Sequence, residues 1–155
     1  MNHKALAAAL ALAGLLGAPL ALAEVTYDFS GFGTLGATHS DNREVDFVGS
    51  IVQPSGAGRS KAISTGVDTK AGVQAVARIG NELTGTVQVV ADRRFDNTYA
   101  PRFEWANLKY QVSKELYVRA GRVVAPVFLV SDYRNVGYAQ TAVRQPYDVY
   151  VSARV

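Results

Sequence analysis

The sequence predicts an all-β protein built from antiparallel strands, and three observations carry this prediction. The chain begins with the features of an export signal. Segments in which apolar and polar residues alternate occupy most of the remaining length. The links between these segments are in turn short and long. Because the three features are independent of one another, their agreement narrows the fold class more than any one of them does.

The first 23 residues have the composition of a secretory signal peptide. Lys4 supplies a positive charge, an Ala/Leu-rich apolar run follows, and Ala21 and Ala23 form a cleavage site of the A-x-A kind. The run is shorter than the ~20 apolar residues that a membrane-spanning helix needs. A buried N-terminal helix would be apolar too, but it would not need these three features in this order. We therefore expect residues 1–23 to be removed, which leaves residues 24–155 as one domain of an exported protein.

Composition and motifs argue against several classes of function. The chain has no cysteine, so it has neither a disulfide framework nor a thiolate metal site. Its net charge of +3 is too mild to indicate a nucleic-acid partner. His39 begins a polar link without a nucleophile elbow nearby, which favours a solvated histidine over a catalytic one. With no metal-ligand or phosphate-loop motif in the sequence, we expect no enzyme activity, no cofactor and no metal.

Strand-like alternation is clearest between residues 67 and 79. Val73 and Ala75 would share one face of a strand, with Gln74 and Arg78 on the other, because successive side chains point to opposite faces. One face is therefore apolar or small and the other is largely polar. A helix would mix the apolar set around its surface, and the β-branched content also favours a strand. The same alternation recurs in four further segments, which are 25–38, 83–95, 105–112 and 116–121.

The links between the predicted strands alternate in length. Residues 80–82 and 113–115 are tight turns, whereas 39–66, 93–102 and 123–147 are long and polar. In an antiparallel sheet, this alternation places all the long links at one end. Outer-membrane β-barrels have this arrangement, with short periplasmic turns and longer external loops. We therefore predict an antiparallel transmembrane β-barrel in the outer membrane of a Gram-negative cell, with lipid against its apolar face.

A few positions depart from regular alternation, and two tyrosines have positions of interest on the apolar face. Glu104 falls on the apolar face and Trp105 on the polar one, and Arg122 would also face outward. Either the charges stand above the lipid or a β-bulge resets the phase. Tyr27 and Tyr110 lie near the short-turn ends of their strands and fit an aromatic girdle at the lipid boundary. Ordinary strand aromatics would give the same pattern.

Two segments resemble a known family. The stretch at 30–36, Ser-Gly-Phe-Gly-Thr-Leu-Gly, resembles the opening strand of Gram-negative trimeric outer-membrane porins. The stretch at 118–122, Val-Arg-Ala-Gly-Arg, is similar to the segment that leads into their third external loop. The resemblance implies a homotrimer of sixteen-stranded barrels through which small hydrophilic solutes diffuse. It also implies that residues 123–147 fold back into the channel and narrow it.

The predicted polar face and this loop supply the candidate functional residues. The side chains expected to line a channel are Lys70, Gln74, Arg78, Gln88, Asp92, Arg94, Asn107, Lys109 and Arg119. Those expected on the constricting loop are Asp132, Tyr133, Arg134, Tyr138, Arg144 and Asp148. Because most of the wall charges are basic, we expect anions to be favoured, although a solvated face without selectivity would carry the same charges. The loop charges would set the field of the constriction, pin the loop by salt bridges, or do both.

The alternation resumes after Pro146 and stops at Val155, within a sixth strand. Porins of this family end in a strand that closes with an aromatic residue. We therefore expect these residues to be the first five or six strands of an open, incomplete barrel, which needs further strands to form a pore. Two other functions stay open. A small outer-membrane barrel with a structural or adhesin role would refold alone in detergent, and a soluble periplasmic β-rich binding protein would need a second layer over its apolar face.

Overall fold

A computed structural model of the chain describes residues 24–124 and 131–140. The expectations for segment 1–23, for Arg144 and Asp148, and for a strand after Pro146 lie outside these residues. The described part is all-β, as predicted. Its strands are β1 (Val25–Thr34), β2 (Thr38–His39), β3 (Asp46–Phe47), β4 (Ala57–Gly58), β5 (Ile63–Ser64), β6 (Lys70–Ile79), β7 (Leu83–Asp92), β8 (Arg102–Gln111) and β9 (Tyr117–Arg122). Two 3-10 helical turns follow, at Ser131–Tyr133 and Gly137–Ala139.

The five long strands form one sheet in the order β1-β6-β7-β8-β9. Every neighbouring pair is antiparallel. The pairing of β1 with β6 runs from Val25 opposite Ile79 to Thr34 opposite Lys70. The sheet is therefore an up-and-down meander, interrupted only by the excursion of residues 35–69 between its first two strands. Within the described residues, β1 and β9 are its edges.

Short and long links lie at opposite ends of this sheet. Gly80 turns the chain between β6 and β7 with a φ of +57°, which glycine adopts without steric cost. Between β8 and β9, the N–H groups of Val112 and Ser113 both donate to the carbonyl of Leu116, at 2.9 and 3.0 Å. We call this end the turn end and the opposite one, where the long links lie, the loop end. The predicted segregation of link lengths is confirmed for the described strands.

A β-bulge in β8 explains the irregular phase of Glu104. Gln88 of β7 lies opposite Trp105, whereas the next residue, Val89, lies opposite Phe103. Glu104 is the extra residue, because a bulge sets two residues of one strand against one of its partner. Its carboxylate therefore meets the polar face, where it contacts two arginines. Of the two explanations that the sequence left open, the bulge is the one that applies to Glu104.

Several strand limits at the loop end differ from those predicted. β1 ends before Gly36, whose N–H donates to the hydroxyl of Thr69 at 3.2 Å instead of continuing the ladder. β7 ends at Asp92, so the prediction that this strand extends to Phe95 is wrong. The N–H of Arg94 closes a turn with the Thr98 carbonyl at 3.1 Å, which takes Arg94 out of the sheet. β8 begins earlier than predicted, because the bulge lets residues 102–104 continue the strand.

The two faces of the sheet show inverted burial. The apolar face is open: Phe29 is 80% exposed, Val73 64% and Leu108 56%. On the polar face, Gln88 and Asn107 are only 6% and 7% exposed. A water-soluble sheet buries its apolar side chains and leaves polar ones outside. No element of the described part covers the apolar face, and none of its helical segments is long and apolar enough to cross a membrane.

The excursion of residues 35–69 is organised by polar contacts at the loop end. Two short ladders, β2 with β5 and β3 with β4, fold it back on itself. Asp46 closes the second ladder by accepting hydrogen bonds from the N–H of Gly56 at 3.1 Å and from the N–H and hydroxyl of Ser60. The hydrogen bond from the Ser60 hydroxyl is the main reason that the pKa of Asp46 lies below its ordinary value. Hydrogen bonds thus close the excursion, in which Ala57 and Val67 are the buried apolar residues.

Candidate functional site

The polar face of the sheet collects the residue types from which a binding or transport surface is made. The strand register places eight of the nine predicted wall residues on this face, namely Lys70, Gln74, Arg78, Gln88, Asp92, Asn107, Lys109 and Arg119. The ninth, Arg94, lies in the link after β7. Its guanidinium carbon is 5.9 Å from the centroid of the Phe95 ring. The polar face is therefore continuous across β6 to β9, and Arg94 lies beyond it at the loop end.

At the loop end, the charges of this face are joined in one group, which we call the Glu104 cluster (Asp92, Arg102, Glu104, Arg134 and Asn135). Arg102 contacts the Asp92 carboxylate and lies 3.5 Å through its Nε from Glu104 Oε2. Arg134 donates to Glu104 Oε1 through Nε at 3.1 Å and also through its terminal nitrogen. Asn135 Nδ2 adds a third donor at 3.2 Å. A carboxylate that is 4% exposed needs such partners, because an unpaired buried charge is costly.

This cluster attaches the segment 131–140 to the polar face. Arg134 and Asn135 fix its middle to β8, while Gly137 packs so closely on Thr34 of β1 that a Cβ would come within 2.8 Å of the threonine hydroxyl. The side chain of Gln140 closes the segment by donating to the Arg134 carbonyl at 2.8 Å. The segment thus reaches from β8 across to β1. The loop charges were expected to set the field of the constriction or to pin the loop by salt bridges. Arg134 takes part in pinning the loop.

Three other predicted loop residues lie within the described part and differ from Arg134 in their surroundings. Asp132, Tyr133 and Tyr138 are exposed, and Tyr138 is 79% open. No ion pair of Asp132 occurs among the described residues. All three side chains are therefore accessible to solvent.

Neutral side chains fill the middle of the polar face. Gln88 donates from Nε2 to Oε1 of Gln74 at 2.9 Å across the β6–β7 pair. Phe32 lays its ring over Gly72, where no side chain could fit, and the adjoining Val90 is fully buried. Cross-strand packing of an aromatic ring over glycine stabilises a sheet at a position that has no side chain of its own. The middle is therefore uncharged, with apolar side chains next to the two glutamines.

At the turn end, a row of side chains crosses all five strands in the order Thr26, Arg78, Thr84, Lys109 and Arg119. Arg78 contacts Asp28. Lys109 Nζ lies 4.8 Å from the centroid of the Tyr117 ring. The guanidinium of Arg119 lies 5.5 Å from the Trp105 ring and 5.7 Å from the Tyr117 ring. We call Lys109, Arg119, Tyr117 and Trp105 the basic-aromatic group.

Sequence reasoning missed three residues that organise the site. Arg102 pairs with Asp92 and Glu104, and its role depends on the bulge, for which the only signal was the irregular phase of Glu104. Trp105 carries Arg119 on its ring. Arg93 is buried and donates to the carbonyl and hydroxyl of Ser55, at 2.6 and 2.7 Å, which ties the excursion to the sheet. No local pattern in the sequence signals that last contact.

The described residues offer little for metal or acid–base chemistry. They contain no group of three or more His, Cys, Asp or Glu side chains that could hold a metal ion. His39 lies in the short strand β2, exposed and opposite Ile63. Asp96, in the β7–β8 link, accepts hydrogen bonds from the N–H and hydroxyl of Thr98, which hold its pKa below the ordinary value. These contacts shape a loop turn.

Comparisons of the chain with protein-family models, with curated proteins and with solved structures give no match. The resemblance to trimeric porins therefore stays a prediction. What the protein does has to be inferred from its two sheet faces and from the segment that crosses one of them.

Proposed function

We propose that this protein is an outer-membrane porin of a Gram-negative cell, and that its five long strands form part of the wall of a β-barrel. The observation that carries the proposal is the inverted burial of the sheet, whose apolar face is open while the middle of its polar face is buried. Lipid contacts the first face, and a water-filled lumen adjoins the second. Small hydrophilic solutes cross by passive diffusion, without a covalent step.

The free energy of apolar exposure supports a lipid environment. Burying apolar surface contributes about 25 cal/mol per Å². The open face carries Phe29, Val73, Phe103, Leu108 and Val118, each more than half exposed. Contiguous patches of this kind are rare on soluble proteins and mark surfaces that meet lipid or another protein. Contact with the lipid of a membrane removes all five side chains from water at once.

The tyrosines of the open face lie where a lipid–water boundary is expected for a barrel wall. Tyr27 and Tyr110 are both about half exposed and lie within the last two outward rows before the turn end. The hydroxyl of Tyr110 donates to the Glu82 carboxylate in the tight turn at 3.4 Å. Aromatic rings with a polar tip favour the boundary between hydrocarbon and water. We therefore place the periplasmic surface of the membrane at the turn end.

The segment 131–140 acts in this proposal as the loop that narrows the lumen. Its attachment to the Glu104 cluster and to Thr34 holds it against the polar face rather than outside the barrel. Tyr133 and Tyr138 stand on its exposed side together with Asp132. Their side chains then set the size and polarity of the opening that solutes pass.

The charges of the polar face favour anions. At the loop end, the carboxylates of Asp92 and Glu104 offset their arginines. At the turn end, Lys109 and Arg119 have aromatic partners instead, and no carboxylate of the described residues pairs with them. Basic side chains that line a pore raise the local concentration of anions. The remaining strands of the barrel and two further copies in a homotrimer complete the proposed assembly.

Planar-bilayer recordings test the proposal. Protein extracted from outer membranes is expected to give stepwise conductance, and a salt gradient is expected to give a reversal potential of the sign for anions. Membrane fractions and heat-modifiable migration serve as controls for insertion. A barrel that inserts but never conducts would instead indicate a structural or adhesin role. Recovery in the soluble periplasmic fraction would overturn the membrane assignment itself.

A further inference from the structure

The basic-aromatic group has an arrangement that a solvated sheet surface does not require. Lys109 and Arg119 lie directly opposite each other on β8 and β9. Like charges in such cross-strand positions destabilise a sheet, because their side chains are neighbours on one face. The group therefore carries an energetic cost that a neutral pair would avoid.

These two cations keep their charge available. Among the described residues, neither has a carboxylate within ion-pair distance, whereas Arg78 in the same row contacts Asp28. The faces of Tyr117 and Trp105 hold them instead. A cation on an aromatic face is oriented by the ring quadrupole and still has N–H donors for an anion. The aromatic contacts thus hold two charges side by side without neutralising them.

The aromatic rings also offer contact surface. Tyr117 is about half exposed, has the Lys109 and Arg119 cations 4.8 and 5.7 Å from its ring centroid, and faces the same side of the sheet as they do. Trp105 is nearly buried beneath Arg119. A planar ligand with one negative end can place that end between the two cations and its ring beside Tyr117. A small inorganic anion would use only the first of these contacts.

We infer that the basic-aromatic group is a binding subsite for small aromatic carboxylates. The carboxylate accepts hydrogen bonds from Lys109 Nζ and the Arg119 guanidinium, as oppositely charged groups do when they pair in a partly desolvated site. The ring of the ligand packs in an offset arrangement on Tyr117. That this subsite serves solutes near the periplasmic mouth rests on the proposed porin function. That the group binds aromatic carboxylates rests on its geometry alone.

The single tryptophan of the chain makes the subsite directly observable, because Trp105 lies under Arg119. With the protein in detergent or lipid, para-nitrobenzoate quenches tryptophan fluorescence, and para-nitrobenzyl alcohol is its neutral match. We expect saturable quenching by the carboxylate and only linear, collisional quenching by the alcohol. In K109Q/R119Q the apparent Kd is expected to rise about tenfold or more, because each cation gives a charge-assisted hydrogen bond.

Two further variants separate charge from stacking. Tyr117→Leu is expected to weaken para-nitrobenzoate binding about two- to tenfold, the range that one aromatic pair contributes. Lys114→Gln removes a cation from the turn between β8 and β9, outside the polar face, and is expected to leave the apparent Kd unchanged. Equal quenching by acid and alcohol, or saturation that survives in K109Q/R119Q, would overturn the subsite. Because the measurement does not depend on conductance, saturable quenching in a protein without conductance would support the subsite and reject the porin.

Discussion

The two ends of the polar face handle charge in opposite ways. At the loop end, the Glu104 cluster joins two carboxylates and two arginines around a buried oxygen pair. At the turn end, two cations of the basic-aromatic group lie on aromatic rings, and within residues 24–124 and 131–140 no carboxylate pairs with them. The first arrangement is suited to holding a segment of chain in place. The second is suited to meeting a negatively charged solute, so one sheet face serves both structure and selection.

The largest effect on stability is expected when the loop end loses the central carboxylate of the Glu104 cluster. Glu104→Gln removes the carboxylate that Arg102 and Arg134 share. Arg102 keeps its contact with Asp92, whereas Arg134 is left partly buried without a carboxylate partner among the described residues. We expect the free energy of unfolding in lipid vesicles to fall by about 2–3 kcal/mol, below the value for a fully buried pair because both arginines are partly exposed. Denaturant titration measures this change. Glu115→Gln, on an exposed turn residue, is the matched control and is expected to change the free energy by less than about 0.5 kcal/mol.

An equal loss in both variants would contradict the view that Glu104 holds the loop end together. A second readout is more specific to the attached segment. In Glu104→Gln, protease cleavage within residues 131–140 is expected to become faster, while cleavage in the turn at residues 113–115 is expected to stay as it was. Unchanged cleavage at both places would mean that other contacts hold the segment.

At the turn end, the expected effect is on selectivity. Two unit charges at roughly 8 Å in water together contribute about 1 kcal/mol to the energy of a passing ion. We therefore expect K109Q/R119Q to lower the anion-to-cation permeability ratio about two- to fivefold, with the larger change at low salt, where screening is weaker. Reversal potentials across a salt gradient measure the ratio. Lys114→Gln is the control, and a double variant no different from it would show that these cations do not face the ion path.

A smaller effect, on the free energy of unfolding, is expected when Lys109 alone is neutralised. Because Lys109 and Arg119 are directly opposed, Lys109→Gln relieves a repulsion between like charges. The single variant is expected to be more stable than the original by about 0.2–1 kcal/mol in the same denaturant titration. A loss of stability would indicate that the contact of Lys109 with Tyr117 outweighs the repulsion.

The excursion at the loop end has its own dependence on pH. Hydrogen bonds from Ser60 hold the pKa of Asp46 below its ordinary value of 3.8, so the folded loop favours the ionised carboxylate. The stabilisation is therefore complete above pH 3.8 and is lost as the pH falls through the lowered value. We expect proteolysis or hydrogen exchange of residues 46–60 to accelerate only in that acidic range. In Asp46→Asn, this acid step should disappear.

Alternation in the sequence was enough to locate the long strands. β6 and β7 begin and end within three residues of their predicted limits, because their two faces differ so clearly in polarity. The tight turn at Gly80 was also predictable from its composition. These features depend on local residue pattern, and that is the information a single sequence carries.

Contacts between distant segments were not predictable in the same way. The bulge at Glu104 was considered but could not be chosen, because its partner Arg134 is thirty residues away along the chain. The link from Arg93 to Ser55 joins two stretches that each look like ordinary loop. The attachment of residues 131–140 to β8 was one of two roles weighed for the loop charges. Such contacts depend on pairing geometry, which side-chain periodicity does not encode.

The central claim is that the open face lies in lipid and the polar face in water, and labelled single cysteines test it most directly. The chain has no cysteine, so each introduced label is unique. Val73 and Gln74 are adjacent residues on opposite faces, as are Leu108 and Lys109. With the protein in vesicles, labels at 73 and 108 are predicted to be quenched by lipid-attached nitroxides, and those at 74 and 109 by aqueous iodide. Quenching of all four labels by iodide alone would contradict the membrane-embedded wall.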